Sequence, residues 1–307
     1  MTDRKRVLIL INNTAGTGRA QDDTFDIVSG FAKKGYEPIV YPIIPGTELT
    51  SERIMERYGD TVDTIMCMGG DGTLNHVMSS IVRMKSDKKP VLAYIPSGST
   101  NDFARCLGIP DTREGAIDAA INGRSCHYDV GRLNDRYFNY VAAFGAFSEI
   151  SYDTDQSLKN AVGYAAYVIN AISKLPQNIN YSCRMRIEHD GKTEEGEYVF
   201  GAVCNSVSVG GMKLFGNAGV KLNDGKMELL LIHAPKSLSE LNMILASLAT
   251  GSTDNPYISF RLISRVSFKS DTDVTWTVDG EYGGESRDSE IEVLAKAVAI
   301  RRAVKGK

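Results

Sequence analysis

Over its first hundred residues the chain alternates two hydrophobic patterns. Runs dominated by apolar, β-prone residues at 7–11, 38–44, 61–68 and 91–95 predict strands, several buried on both faces. Between them apolar residues fall at helical spacing. Phe25, Ile27, Val28 and Phe31 mark one helix, residues 50–58 a second, and Leu74, Val77, Met78, Ile81 and Val82 a third. Strands alternating with helices imply an α/β domain with a parallel sheet, and such sheets bind ligands at the carboxyl ends of their strands.

The pattern changes near residues 125–129. Residues 128–133 and 137–143 read as a hairpin around Asn134-Asp135. A helix is predicted over 156–175, ended by Pro176. Strands follow at 179–189 and 197–204 with a turn at Asp190-Gly191, and residues 220–232 suggest a hairpin at Asp224-Gly225. Residues 237–249 read as a helix opened by a Ser237/Glu240 capping box. Strand-like runs at 257–263, 265–269, 274–278 and 291–294, with a fifth at 297–300, complete the chain. The second half is therefore expected to be a mostly antiparallel β-sandwich. The expected division is 1–127 and 128–307, with the last residues able to pack back on the first domain.

Composition narrows the function classes. A net charge of −3 makes no general case for nucleic-acid binding. No apolar run approaches the ~18 residues of a membrane span. Arg4-Lys5-Arg6 ahead of 7–11 has the flank of a signal peptide, but the apolar run is too short and ends in Asn12-Asn13. The five cysteines form no C-x-x-C pair, which suits reduced thiols in a cytoplasmic protein. The four histidines form no metal-binding cluster in the sequence.

Candidate chemistry gathers where three predicted strands end. The strand at 61–68 runs into Gly69-Gly70-Asp71-Gly72-Thr73 and then a helix. Glycines permit positive φ and close approach of an anion, while the free N–H groups of a helix start favour phosphate. Asp71 adds a carboxylate where a magnesium-bound phosphate could sit, and Thr73 is placed to cap the helix. The loop lacks the lysine of G-x-x-x-x-G-K-[ST] and does not fit G-x-G-x-x-G. Residues 12–19 and 96–104 form two more loops of this kind.

Gly69-Gly70-Asp71-Gly72-Thr73-Leu74-Asn75 resembles the nucleotide signature of the diacylglycerol kinase catalytic-domain family, which includes bacterial soluble lipid kinases and sphingosine kinases. NAD kinases share its first five residues. The family's Asn-Pro-x-Ser/Ala-Gly segment is matched at Asn12, Ala15 and Gly16, with Asn13 in place of proline. Gly98, Ser99, Asn101 and Asp102 match a third family segment. The resemblance implies that ATP contacts Asn12, Gly16, Gly18, Gly69 to Asn75, Gly98, Ser99, Asn101 and Asp102, with Arg19 and Lys159 neutralising phosphate charge. Pro42 stands where the family has a nucleotide-contacting threonine and cannot supply that hydroxyl.

In the second half, Asp279-Gly280-Glu281 matches the family's candidates for general base. Both carboxylates fit; Glu281 is favoured as base and Asp279 as its orienting partner. The family's structural magnesium falls on Asp224, with the carbonyls of Lys221 and Lys226. The resemblance thus implies an ATP- and magnesium-dependent lipid kinase, with an ATP-binding first domain and a lipid-binding second. The expected reaction converts diacylglycerol to phosphatidic acid. A sphingoid base, phosphatidylglycerol or undecaprenol is the alternative acceptor, then NAD, then a non-catalytic nucleotide-binding role. The expected setting is cytoplasmic and peripheral to the membrane, with a homodimer as an open assembly state.

Overall fold

The computed structural model describes residues 5–12, 20–98, 101–145, 182–205, 221–250, 252 and 254–303. The chain forms two compact units, Met1–Tyr128 with Lys296–Lys307, and Asp129–Ala295. Two strands cross from one to the other: β5 (Arg124–Leu133) and β13 (Glu281–Arg302).

Unit 1 is built on β1 (Arg6–Ile11), β2 (Glu37–Pro42), β3 (Thr64–Gly69) and β4 (Val91–Pro96), paired in parallel in the order β2-β1-β3-β4. Every residue of β3, and all of β1 after Arg6, is buried, which explains their unbroken apolar runs. The helices are α1 (Ala20–Lys33), α2 (Ser51–Tyr58), α3 (Asp71–Arg83), α4 (Asp102–Leu107) and α5 (Arg113–Asn122).

In α1, Ile27 and Phe31 are buried, but Phe25 is 79% exposed and so does not belong to the core face expected of it. Two residues along a helix is about 200° around it, so Phe25 and Ile27 point apart. The core stripe instead begins at Asp23, whose carboxylate pairs with Arg113 of α5. The sequence pattern does not reveal α4 and α5. The first has six residues, and the second buries only the small side chains of Ala116, Ala119 and Ala120.

Unit 2 is antiparallel. Its strands are β6 (Arg136–Phe138), β7 (Val141–Gly145), β8 (Cys183–His189), β9 (Lys192–Cys204), β10 (Met227–His233), β11 (Ile258–Ile263) and β12 (Arg265–Val278), with the first part of β13. They neighbour one another as β11-β10-β9-β7-β12-β13, and β8 pairs with β9 and β12. Alternation along the strands feeds two cores. Val141, Ala143, Leu230 and Ile232 face one, which α6 (Leu238–Thr250) covers with Leu241, Ile244 and Leu248. Ala142, Phe144, Leu229 and Leu231 face the other. At its centre Phe144, Phe268 and Trp276 meet edge to face, with ring centroids 5.0–5.7 Å apart.

Several elements differ from expectation. The five short runs after residue 257 are three strands, because β12 and β13 continue through polar stretches. Register shifts between Lys269 and Val274, where Ser270 to Asp273 interrupt the pattern. Residues 221–226 form a turn leading into β10, so the expected first arm of that hairpin is turn rather than strand over 221–223, while the helix at 156–175 lies outside the described residues. At α6 the Ser237 hydroxyl accepts from the Glu240 N–H at 3.2 Å, but the Glu240 carboxylate accepts from Lys236 rather than from Ser237.

The end of β13 belongs to unit 1, where Ile300 pairs in parallel with Leu92. Arg301 fastens it. One guanidinium nitrogen donates to the carbonyls of Ala120 and Ile121 at the end of α5, the other to the hydroxyls of Tyr36 and Thr64. The group also lies 5.7 Å from the Phe31 ring centre. Arg301→Met keeps the length but removes every donor, and is expected to destabilise unit 1 by about 2–4 kcal/mol. Denaturant unfolding monitors this, and an unchanged midpoint would show that the segment is not fastened there.

Candidate active site

The register of unit 1 brings strand ends to one level. Ile11 lies opposite Met68, Met68 opposite Ile95, and Gly69 opposite Pro96. Asn12, the Gly69-Gly70-Asp71 turn and the Ser97–Gly98 turn therefore emerge side by side, and hydrogen bonds join them. The Asn12 side-chain amide donates to the Thr73 hydroxyl at 2.8 Å. The Gly69 carbonyl accepts from the Ser97 N–H at 2.9 Å and the Tyr94 hydroxyl at 3.1 Å. Burial, with the negative charge of Asp71 nearby, raises the Tyr94 phenol well above its ordinary pKa, so it remains a protonated donor.

Close approach, rather than left-handed backbone, requires the glycines. None of Gly69, Gly70, Gly72 and Gly98 has positive φ. A Cβ on Gly98 would lie 2.7 Å from the Gly70 Cα, and one on Gly69 within 2.9 Å of the Thr73 side chain. Gly70 is the N-cap of α3, with no side chain capping the helix, and the Thr73 hydroxyl serves Asn12 instead. The expected Thr73 cap is therefore absent, because Thr73 lies inside the first turn. The α3 start offers backbone N–H groups beside the half-buried Asp71. Asn101, at φ 51°, closes the neighbouring turn: its side chain accepts from the Gly98 N–H and donates to the Gly98 carbonyl. Asp102 opens α4. Leu74 is a core residue, and the Asn75 amide oxygen accepts from Ser79 at 3.3 Å. Pro42 ends β2 opposite Ile11. Gly16, Gly18, Arg19, Ser99 and Lys159 lie outside the described residues.

In unit 2, Asp279 and Gly280 form the turn between β12 and β13, with φ of 49° and 87°. The pair matches a type I′ hairpin, the form favoured by Asp-Gly. The two carboxylates differ sharply. Asp279 is buried, and accepts from three consecutive backbone N–H groups: Asn139 at 2.8 Å, Tyr140 at 3.0 Å and Val141 at 3.1 Å. Its own N–H donates to the Val141 carbonyl. Glu281 is exposed. Arg136 donates to the Tyr282 carbonyl at 3.1 Å on the far side of the turn.

The 221–226 turn has one carboxylate of its own: Asp224 accepts from the Lys226 N–H at 3.1 Å. Three residues that the sequence reading did not single out surround it. Asp129, fully buried, accepts from the Gly225 N–H at 2.7 Å, and its N–H bonds the Leu222 carbonyl. The Asn205 side chain donates to the Asp129 carbonyl at 2.8 Å. Glu228 is pushed up to about 8 by burial, with the Asp224 charge adding to the effect. The Asn205 Oδ1 and Glu228 Oε2 atoms are buried without hydrogen-bond partners. Orphaned oxygens beside a carboxylate and carbonyls suit a hard divalent cation such as magnesium. Among the described residues no group of three or more His, Cys, Asp or Glu is placed to hold a metal ion. An acid inside an otherwise apolar strand, as at Glu228 in Met227–His233, is a signal that could have found that residue.

A glycine-lined α/β unit followed by an antiparallel β unit is the class of protein defined here. Residues 6–133 match the diacylglycerol kinase catalytic domain, and residues 141–302 match the YegS C-terminal NAD kinase beta sandwich-like domain. A diacylglycerol kinase of Staphylococcus aureus (strain MRSA252) is 36% identical over 287 residues, covering 92% of this chain and 88% of that protein. The chain belongs to the diacylglycerol kinase family. Two crystal structures from Bacillus anthracis str. Sterne share the fold. One has a TM-score of 0.80 at 22% identity, covering 98% of this chain and 96% of that chain. The other, of a diacylglycerol kinase, has a TM-score of 0.72 at 19% identity and covers 98% of each.

Gly98→Ala places a methyl group against the Gly70 backbone, so the two turns must separate. ATP affinity is expected to fall at least about tenfold, or about 1.4 kcal/mol. Titration calorimetry reads this directly, and unchanged affinity would place the nucleotide elsewhere.

Proposed function

We propose that this chain is an ATP-dependent lipid kinase that converts diacylglycerol to phosphatidic acid. Family membership names the reaction, and one observation supports its assignment to these residues. The Asp-Gly-Glu turn carries one carboxylate fully taken up by backbone amides and one exposed to solvent. A base must be accessible and ionised, and its support must be fixed, so Glu281 is the base and Asp279 its anchor.

Unit 1 serves as the ATP-binding domain. The N–H groups at the start of α3, with Gly98 and Asn101 opposite, are suited to the phosphates, and Asp71 and Asn75 to the cation that accompanies them. Magnesium, when bound with ATP, neutralises phosphate charge. Unit 2 serves as the lipid-substrate domain. Glu281 takes the proton of the acceptor hydroxyl as that oxygen bonds to the γ-phosphorus. The bond from that phosphorus to the β–γ bridging oxygen breaks, and ADP leaves with the electron pair. A second magnesium at the 221–226 turn is structural, held by Asp224 with the carbonyls of Lys221 and Lys226.

No helix among the described residues is long and apolar enough to cross a membrane. The acceptor is nevertheless a membrane lipid, so the enzyme meets it peripherally, at the membrane surface. All five cysteines are free, which fits the cytoplasmic side.

Phosphatidic acid formation from labelled ATP and diacylglycerol in mixed micelles tests the activity. Glu281→Gln is expected to lower kcat by about 10²–10⁴ with the KM for ATP nearly unchanged. Full turnover would remove Glu281 from the mechanism. Asp224→Ala is expected to abolish the rise in Tm that magnesium gives the wild type, because a ligand bound only by the folded state stabilises it. Identical melting of wild type and variant, with and without magnesium, would refute the metal site.

A further inference from the structure

We propose that the outer face of α6, with Leu262 and Tyr282 on the same side of the sheet, is the surface by which unit 2 docks on the bilayer that holds its substrate; this docking rests on the lipid kinase reading above. Among the described residues, unit 2 exposes four large hydrophobic side chains: Leu238 is 67% exposed, and Met243, Leu262 and Tyr282 are 45–48% exposed. Strand register and the seat of α6 put all four on one side of the sheet. Leu262 lies opposite Glu228, Glu228 opposite Cys204, and Cys204 opposite Val141. Tyr282 lies opposite Thr277, and Thr277 opposite Ala143. Residues paired across antiparallel strands point to the same face. Val141, Ala143 and Cys204 belong to the core that α6 covers, so Leu262 and Tyr282 share the face on which α6 lies. Tyr282 directly follows Asp279-Gly280-Glu281 in the chain, so this face reaches the catalytic turn.

The helix is uncharged where it meets solvent. Leu241, Ile244 and Leu248 are buried against the sheet, and Leu238, Ser239, Asn242, Met243 and Ala246 form the exposed arc. Its single charged residue, Glu240, is turned back on the helix start, where it accepts from the Lys236 N–H at 2.6 Å. A helix that faces only water ordinarily carries charge on that side. Other solvent-facing strand positions of unit 2 do: Arg186 pairs with Glu188 at 2.9 Å, and Arg265 with Glu290 at 2.8 Å. An uncharged arc approaches a bilayer without stripping water from ions, and its aliphatic side chains gain by leaving water. Tyr282 suits the headgroup level, where an aromatic ring with a polar end is stable. Four such side chains fall well short of the roughly 20–30 residues a side of a stable protein interface, so the face suits a bilayer rather than a second copy of this chain. The catalytic turn on the same face takes a membrane lipid, and docking there brings Glu281 to the surface that supplies it.

The test uses the full chain with phosphatidylcholine vesicles containing diacylglycerol, reading binding by co-sedimentation and activity by phosphatidic acid formation. The double variant Leu238→Glu, Met243→Glu is expected to weaken vesicle binding at least about tenfold, since two apolar side chains no longer insert. Wild-type binding should persist in about 0.5 M salt, because apolar insertion is not screened. Turnover of a short-chain, water-soluble diacylglycerol and the Tm should match the wild type, which separates docking from chemistry and from folding. Ser239→Leu adds apolar surface to the arc and should tighten binding at an unchanged Tm. Unchanged vesicle binding in the double variant would overturn the docking face, as would wild-type binding abolished by salt. A dimer in sedimentation that the double variant disrupts, with vesicle binding intact, would make the face an interface between copies and also overturn it. Vesicle binding lost in the double variant, with no phosphatidic acid formed by the wild type, would overturn the lipid kinase reading alone.

Discussion

Asp279 adopts a left-handed backbone, which disfavours any residue with a Cβ by roughly 1–2 kcal/mol. The surrounding chain compensates with three amide hydrogen bonds to one carboxylate and a fourth bond from the Asp279 N–H. Through them the turn between β12 and β13 is tied to the residues that begin β7, the strand that pairs with β12 at Val278 and Ala142. One side chain therefore fixes both a sheet junction and the direction in which the chain offers Glu281. Such a position tolerates strain because several contacts determine it at once.

Unit 1 solves a different problem with the opposite means. There the constraint is the absence of side chains: Gly70 and Gly98 bring two backbones so close that a single methyl would separate them. Hydrogen bonds from Asn12, Tyr94 and Ser97 then lock the strand ends in register. Backbone donors held in this way need no rearrangement to meet a phosphate, which is how phosphoryl transfer is served by positioning more than by covalent chemistry.

Much of this is legible in the chain. Unbroken apolar runs mark β1, β3 and β4, because strands covered on both faces have no polar side to show. The glycine motif and the Asp-Gly-Glu turn are short, local and dictated by backbone geometry, so residue identity alone reports them. Other features depend on partners distant in sequence. Nothing local says that Phe25 faces outward, since Asp23 takes the core position only because Arg113 waits ninety residues on. Asp129, Asn205 and Glu228 gather around the 221–226 turn by tertiary pairing, and no spacing rule links them. The length of β12 and β13 is hidden because the polar stretches within them resemble loops.

The return of β13 to unit 1 makes that unit discontinuous in sequence. A ribosome releases the strands β1 to β4 early, yet the segment that pairs with β4 and anchors at Arg301 follows all of unit 2 in the chain. Unit 1 therefore closes only after the whole of unit 2 has been made, and its final contacts span more than 200 residues. Such contacts carry a large loop-closure entropy and form late in folding. A chain that stops within the β-rich half therefore lacks the strand and the Arg301 anchor that complete unit 1.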